Sequence, residues 1–185
     1  SEAAAFTGGI DVNNMNIADL TGIEAFTGLT SLRCYSNQLT GTLDVSNSPN
    51  LTELVAIYNQ ISSIDVSNNP ALTDLNVENN LLTSIDLSGV PALVNLNVGA
   101  NQLTALDISS NTALQGLAAY ANQLTALNTT TNTQLTSLIL ENNQITSLDL
   151  STNLALLNLN CSSNQLTSLD LSFLPLLQEL DVRTN

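Results

Sequence analysis

The sequence predicts an all-β-leaning solenoid, and three observations support this prediction. Similar segments recur every 21 residues: LTELVAIYNQISSIDVSNNPA begins at residue 51, LTDLNVENNLLTSIDLSGVPA at 72 and LVNLNVGANQLTALDISSNTA at 93. Within each segment apolar residues alternate with a period of two, which is typical of short strands. No stretch keeps a helical period over ten residues. Stacked repeats of this kind bury a continuous core between neighbours.

The repeats divide the chain into two parts. Residues 1–28 are irregular and are predicted to form an N-terminal cap with a degenerate repeat, and residues 29–185 hold the repeats. These comprise about seven full units of 21–22 residues and a partial unit at 177–185. The first full unit is one residue longer because Gly41 and Thr42 both precede Leu43.

The two ends of the chain carry separate expectations. Ser1 before Glu-Ala-Ala-Ala suits the N-cap of a short capping helix. A solenoid needs its last apolar face covered. Because the sequence stops halfway through a unit, we expect it to be a fragment of a longer protein.

Asparagine recurs at two fixed positions of the pattern LxxLxLxxNxLxxLDLSxN. The first position follows the predicted strand and is filled by Asn37, Asn59, Asn80, Asn101, Asn122, Asn143, Asn164 and Asn185. The second is filled by Asn69, Asn111, Asn132 and Asn153. An inward Asn at a bend can bond the backbone groups of neighbouring turns. We therefore expect two columns of buried hydrogen bonds, the second weaker than the first.

Repeated LxxLxLxxN segments over residues 29–185 resemble the leucine-rich repeat family, and the nested ten-residue halves look like its 21-residue bacterial subclass. The resemblance implies a right-handed superhelix with a parallel sheet on the concave face and short strand-like segments on the convex face. It implies little helix beyond a possible N-terminal cap, and a role in binding. The opening SEAAAFTGGI and the later DLTGIEAFTGLTSL also resemble the N-terminal capping region of secreted and surface-attached proteins of Bacteroidetes-type bacteria. An extracellular or cell-surface location is therefore implied.

Composition excludes several classes of partner. The chain has 16 Asp and Glu against two Arg, with no Lys or His, and its net charge is −14. Such a charge repels phosphate backbones and anionic lipids, so we expect no nucleic acid partner. No apolar run approaches the roughly 18 residues of a membrane span, so we expect no membrane insertion. Without His and without a CxxC pair, transition-metal sites and His-based acid–base chemistry lose their usual ligands, and we expect no cofactor, no metal site and no catalytic activity. The oligomeric state is left open.

The two cysteines, Cys34 and Cys161, occupy the inward position of the predicted strands. They lie six units apart, which at about 4.8 Å per strand is roughly 29 Å, beyond the ~7 Å Cα limit of a disulfide. We expect both to be buried free thiols.

Residues on either side of an inward strand position must point outward onto the concave face. Both Arg and all three Tyr of the chain fall on these strands or next to them. Tyr and Arg also suit any exposed strand, but the concentration favours ligand contact. A first candidate patch comprises Arg33, Tyr35, Val55, Ile57 and Tyr58, where apolar surface is exposed.

A second candidate patch is centred on Tyr120, with Ile139 beyond it. Its neighbours are small, including Gly99 and Ala118. We expect these neighbours to leave the ring face open, as a sugar-stacking platform requires.

The favoured function is a non-catalytic extracellular binding module with a protein ligand on the concave face. The alternative is a polysaccharide ligand, bound by the exposed Tyr rings with Asn76, Asn97 and Asn160 as bonding groups. The first patch favours the protein, and the open Tyr rings favour the glycan.

The convex face carries a column of aspartates: Asp44, Asp65, Asp86, Asp107, Asp149 and Asp170. Stacked carboxylates can recruit calcium, but bonding of each Asp to local backbone or to the neighbouring Ser column is the favoured interpretation. A column of Thr on this side leaves an ice-binding surface as a less favoured possibility. The fifth unit replaces Asp with Asn128 and puts Thr129 inward, so we expect its turn to be the least stable.

Overall fold

The computed structural model describes residues 2–185 and forms a parallel β-solenoid of about eight turns with almost no helix. Its elements in chain order are α1 (Glu2–Ala5), β1 (Gly9–Asp11), a 3₁₀ turn (Ile23–Ala25), β2 (Ser31–Arg33), β3 (Thr40–Asp44), β4 (Glu53–Val55), β5 (Gln60–Asp65), β6 (Asp74–Asn76), β7 (Asn95–Asn97), β8 (Gly116–Ala118), β9 (Ser137–Ile139), β10 (Asn158–Asn160) and β11 (Glu179–Asp181). The predicted fold class is therefore confirmed.

Nine strands form one parallel sheet in the order β1-β2-β4-β6-β7-β8-β9-β10-β11. Each three-residue strand pairs with the strand one repeat away, so that Leu54 faces Leu32 on one side and Leu75 on the other. The middle residue points into the core and its two neighbours point out. This sheet is the concave face.

The convex segments form a regular strand pair only near the N-terminal end. There β3 and β5 pair in parallel, with a register shift between Gly41 and Thr42 where the first unit carries its extra residue. Gly41 has a φ of 71°, a conformation that suits glycine. In the later repeats within residues 2–185, the convex segments form no regular strand.

A short cap covers the N-terminal end of the core. Helix α1 agrees with the predicted capping helix, and the predicted N-cap Ser1 lies outside the described residues. Phe6 packs edge-on against Phe26 with ring centroids 5.8 Å apart. Both rings lie against the first buried leucines, so apolar contact holds the cap in place.

The main asparagine column forms the predicted ladder. In a representative rung, Asn101 Nδ2 lies 3.0 Å from the carbonyl oxygen of Val77 in the preceding repeat and 3.1 Å from those of Val98 and Gly99 in its own. Its Oδ1 accepts the N–H of Leu82 at 3.0 Å. One side chain therefore pairs backbone groups of two successive turns.

The residue before each ladder Asn adopts a left-handed conformation, which turns the chain out of the sheet. These residues are Ser36, Tyr58, Asn79, Ala100, Ala121, Asn142, Ser163 and Thr184, with φ between 50° and 59°. Asn tolerates this region better than most residues with a Cβ. The left-handed turn is thus a property of the repeat and does not depend on which residue occupies the position.

The second column of asparagines also forms the predicted ladder. Asn111 Nδ2 donates to the carbonyls of Leu87 and Val90, at 3.2 and 2.9 Å. The Oδ1 atoms of Asn69 and Asn111 are buried without a partner. This column is therefore the less completely bonded one, as expected.

The fifth unit departs from the repeat at Asn128 and Thr129. The buried hydroxyl of Thr129 donates to Asn153 Oδ1 at 2.8 Å, and Asn128 Oδ1 accepts the backbone N–H of Thr130 at 3.0 Å. Both departures from the repeat are thus compensated by hydrogen bonds. That this turn is the least stable stays a prediction.

Cys34 and Cys161 are buried free thiols, as predicted. Burial raises the pKa of the Cys34 thiol to about 12 and that of Cys161 to about 11. Because the thiolate is the reactive form, both side chains act as small core residues.

We predict that Asn101→Ala lowers the free energy of unfolding by about 3 kcal/mol or more, because it leaves the Leu82 N–H and several carbonyls buried without partners. Asn95→Ala is the matched control, since Asn95 lies outward on the same repeat and bonds only Asp74 Oδ1. Urea denaturation followed by circular dichroism measures both. Equal losses in the two variants would contradict the structural role of the ladder.

Candidate functional site

The concave face presents three outward columns, each with one residue per repeat. The column that ends the strands is confirmed by the pairing register: Asp11, Arg33, Val55, Asn76, Asn97, Ala118, Ile139, Asn160 and Asp181. The column two residues later holds Tyr35, Ile57, Glu78, Gly99, Tyr120 and Glu141. A third column begins the strands and includes Glu53, Asp74, Asn95 and Gly116. The candidate site residues predicted from the sequence do not include this third column. The period-two alternation of the strands also predicts that its side chains point outward.

The structure brings the first candidate patch together across β2 and β4. Arg33 pairs in register with Val55, and the N–H of Ser36 donates to the carbonyl of Ile57 at 2.8 Å, which joins the two strand ends. Tyr35, Val55 and Ile57 are half-buried. They lie at outward positions of two adjacent strands, and the exposed Tyr58 directly follows Ile57.

Arg33 is on the predicted face but is held by its own chain. Its Nε and Nη2 bind Glu53 Oε2 and Oε1 at 3.0 and 2.9 Å, and Ser31 Oγ donates to Oε2 at 2.8 Å. The Arg33 hydrogen bond lowers the pKa of Glu53. The site therefore presents a bidentate ion pair here and not a free guanidinium.

Tyr58 is the most exposed residue of the patch, with 59% of its surface accessible. It stands at the left-handed turn position, with φ of 54°. A bulky side chain is unusual in this conformation, which costs L-residues about 1–2 kcal/mol. Asn79 and Asn142 occupy the same position in other repeats, so Tyr58 is not the residue that stability favours.

Tyr120 differs from the open platform that the sequence predicted. Its ring lies over Gly99, where an added Cβ would collide with the ring. Burial, together with the nearby Glu78 carboxylate, raises the Tyr120 pKa. One ring face is thus covered, because the small residue at 99 allows the side chain to fold onto the sheet.

A shallow trough of about 350 Å³ lies between the two patches. Gly116 and Ala118 of β8 form its low floor, while Val55 and Ile139 lie at either end. Acidic and amide side chains line it, and Asn95 Nδ2 binds Asp74 Oδ1 across it at 2.8 Å. The trough exists because β8 carries the smallest outward side chains of the sheet.

The amides proposed as bonding groups are partly engaged. Asn97 Nδ2 donates to Glu78 Oε2 at 2.8 Å, and Asn160 Nδ2 donates to Glu141 Oε2 at 3.1 Å. Asn76 Oδ1 accepts the backbone N–H of Glu78 at 3.2 Å. Glu78 and Glu141 on the concave face are therefore bonded by neutral amide donors, whereas Glu53 is paired with Arg33.

The convex aspartates bond their own turns, which confirms the favoured interpretation. Each Oδ1 accepts the backbone N–H two residues later, at 2.9–3.0 Å: Asp44 to Ser46, Asp65 to Ser67, Asp86 to Ser88, Asp107 to Ser109, Asp149 to Ser151 and Asp170 to Ser172. Within residues 2–185 no group of three acidic, Cys or His side chains is placed to hold a metal ion. The column is a set of turn-forming contacts.

The sheet, its ladder and its variable outward positions define a leucine-rich repeat solenoid. The family model described as the leucine-rich repeat domain of the endo-β-N-acetylglucosaminidase EndoS matches residues 1–121, well over half of the chain. The chain belongs to this family of leucine-rich repeat domains.

Solved structures agree with the fold. The functional domain of InlJ from Listeria monocytogenes, described as including a cysteine ladder, is 38% identical with a TM-score of 0.75, over 95% of this chain and 43% of that one. The chain thus spans less than half of the InlJ chain. Internalin C2 of the same organism has a TM-score of 0.77 at 20% identity, over 100% and 83% of the two chains.

A plant structure also matches. The leucine-rich repeat ectodomain of the Arabidopsis thaliana receptor kinase GASSHO1/SCHENGEN3, in complex with CASPARIAN STRIP INTEGRITY FACTOR 2, is 23% identical with a TM-score of 0.73, over 84% of this chain and 20% of that one. Internalin C2 and this ectodomain show the fold alone. No curated protein matches by sequence. Across residues 2–185, the helices are too short and too polar to cross a bilayer.

We predict that the convex turns lose stability in acid. Their hydrogen bonds lower the pKa of Asp65, Asp86, Asp107, Asp149 and Asp170 below the ordinary 3.8. A lowered folded-state pKa contributes stability above 3.8, and this stability is lost as pH falls through the folded value.

The triple variant Asp86→Asn/Asp107→Asn/Asp149→Asn keeps the turns, as Asn128 does naturally. We expect it to show a smaller decrease in Tm from pH 4.5 to 2 than the unaltered chain, by calorimetry. Glu2→Gln in α1 is the control for removal of a charge. An unchanged slope in the triple variant would contradict this account.

We also predict that Glu78→Gln lowers the pKa of Tyr120, since the nearby Glu78 carboxylate helps to raise it. Ultraviolet titration of the phenolate measures the shift, and the Tyr120 signal is identified by its loss in Tyr120→Phe. Glu141→Gln should give a smaller shift, because its effect on Tyr120 is coulombic alone. Equal shifts in the two Gln variants would argue against the Tyr120–Glu78 contact.

Proposed function

We propose that the chain is a non-catalytic extracellular binding module that holds a protein ligand on its concave face. The observation that carries the proposal is the first patch, where Val55, Ile57 and the 59% exposed Tyr58 form apolar surface beside the Arg33–Glu53 pair. Aromatic and apolar anchors next to charged groups are typical of protein interfaces. The Asp side chains of the convex turns, by contrast, accept hydrogen bonds from the backbone of their own turns.

Two further points support the binding role. The carboxylates with a resolved pKa shift in residues 2–185 all have lowered values. A glycosidase-type acid needs a raised one. The match to the EndoS domain therefore supports a leucine-rich repeat domain and gives no support to a catalytic role.

The proposed surface location is supported by the capping-region resemblance and by the likeness to a bacterial domain, that of InlJ. The repeat starts at Leu51, Leu72, Leu93, Leu114, Leu135, Leu156 and Leu177 keep a constant spacing of 21 residues. This spacing supports assignment to the 21-residue bacterial subclass. We include residues 1–28 as a cap of the same binding domain.

A polysaccharide ligand is the second candidate, and the trough favours it. Its size and its Asn76, Asn95 and Asn97 lining suit one or two sugar rings. The contact of Tyr120 with Gly99 weakens this candidate, since it covers one face of the ring that would stack on a sugar.

We predict that Tyr58→Asn lowers affinity for the protein ligand at least about tenfold, since an exposed aromatic anchor is lost. Stability should stay equal or rise by up to about 1 kcal/mol, because Asn tolerates the left-handed turn better. Binding is measured by surface plasmon resonance against purified extracellular proteins, with a glycan array alongside.

Thr83→Asn on the exposed convex side is the matched control and should leave affinity unchanged. Unchanged affinity in Tyr58→Asn, together with a loss in Thr83→Asn, would place binding on the convex face. Glycan binding that depends on Asn95 and Asn97 but not on Tyr58 would favour the second candidate.

A further inference from the structure

Three residues from separate repeats meet at one rim of the concave face. The backbone N–H of Tyr58 donates to the Glu78 carbonyl at 3.1 Å, so the two residues are neighbours in successive turns. The Tyr120 ring lies over Gly99, which holds the position of Glu78 one repeat later, and the Glu78 carboxylate is near enough to help raise the Tyr120 pKa. One carboxylate thus stands between two tyrosines in the order of the repeats. We call Tyr58, Glu78 and Tyr120 the rim cluster.

Among residues 2–185, no cationic side chain pairs with Glu78. Its carboxylate accepts hydrogen bonds from Asn79 Nδ2 at 2.9 Å and Asn97 Nδ2 at 2.8 Å, and both donors are uncharged. Both arginines pair elsewhere, Arg33 with Glu53 and Arg183 with Asp181, and the sequence has no Lys or His. The carboxylate is therefore held in position by neutral groups and has no ion-pair partner among these residues.

The aromatic part of the cluster is exposed at a conformational cost. Tyr58 keeps a bulky ring where other repeats place Asn, Ala, Ser or Thr. The backbones of Tyr58 and Glu78 are hydrogen-bonded neighbours, and an aromatic ring and a carboxylate on adjacent turns can attract one cation by two separate effects, the ring quadrupole and direct charge pairing. Apolar residues Val55 and Ile57 adjoin it, which suits the aliphatic stem of a long basic side chain.

We propose that the rim cluster receives an arginine or lysine side chain from a basic segment of the protein ligand. The proposal rests on the concave-face binding function and names the chemistry of its partner. Complementary charge supports this occupant, because Asp74 and Glu141 also lie on this face and the whole chain carries −14. The basic side chain lies over the Tyr58 ring with its charged head toward Glu78.

The test uses Nα-acetyl-arginine amide as the probe and the citrulline analogue, which has the same shape without the charge. With only three Tyr in the chain, their ring NMR signals are few enough to follow singly. We expect saturable shifts of the Tyr58 and Tyr120 signals with the arginine probe, at millimolar affinity, and no such shifts with citrulline. The Tyr35 signal serves as the internal reference and should move little.

Three variants sharpen the result. Glu78→Gln should weaken the probe about fivefold or more, and Tyr58→Asn about threefold, in line with the loss of charge pairing and of a cation–π contact. Asp86→Asn removes the same charge from the convex face and should leave the affinity unchanged. Equal effects of Glu78→Gln and Asp86→Asn, equal shifts with citrulline, or no saturable shift would each overturn the proposal.

The two proposals fail in different ways. Loss of ligand binding in Tyr58→Asn with no arginine binding would leave concave-face recognition standing and reject the basic partner. If the arginine probe binds but Tyr58→Asn leaves the affinity for the protein ligand unchanged, the rim cluster is a cation subsite and is not part of the protein interface.

Discussion

The asparagine ladder is the interaction on which the rest of the structure depends. Three-residue strands are too short to stand alone, and the chain must leave the sheet at every repeat through a left-handed turn. That turn directs backbone N–H and C=O groups into the core, where unpaired groups are costly. An inward Asn offers a donor and an acceptor together, and in Asn101 they join two successive repeats. Each Asn therefore stabilises both the turn of its own repeat and the stacking of that repeat on the preceding one.

Because the ladder and the leucine core determine the inward side, the outward strand positions are free to differ between repeats. The convex side varies little between repeats: it repeats Asp-x-Ser turns in which the Asp side chain accepts the backbone N–H of the Ser. The concave side varies strongly, with an arginine, tyrosines, small residues and acids at equivalent positions. The face whose residues vary while its backbone repeats is the face suited to recognition.

The sequence predicted what the repeat register determines. The inward burial of Cys34, the rungs of both ladders and the outward direction of Arg33 and Tyr35 all follow from a two-residue alternation in a constant unit. It did not predict contacts that depend on side-chain rotamers across repeats. Arg33 reaches Glu53 from a neighbouring strand, and Tyr120 folds onto Gly99 instead of standing open. The hydrogen bond of Thr129 was not predicted for the same reason, since its partner Asn153 lies 24 residues away.

These departures from the repeat separate into two kinds. Asn128 and Thr129 break the pattern, but hydrogen bonds within the chain compensate for both. Tyr58 differs by placing an exposed aromatic ring at the left-handed position that the other repeats fill with smaller residues, and among residues 2–185 no cationic side chain pairs with the neighbouring Glu78. A departure that is compensated internally has a structural explanation. An exposed ring and an unpaired carboxylate at one rim have no such compensation among the described residues, and this is the basis for proposing recognition there.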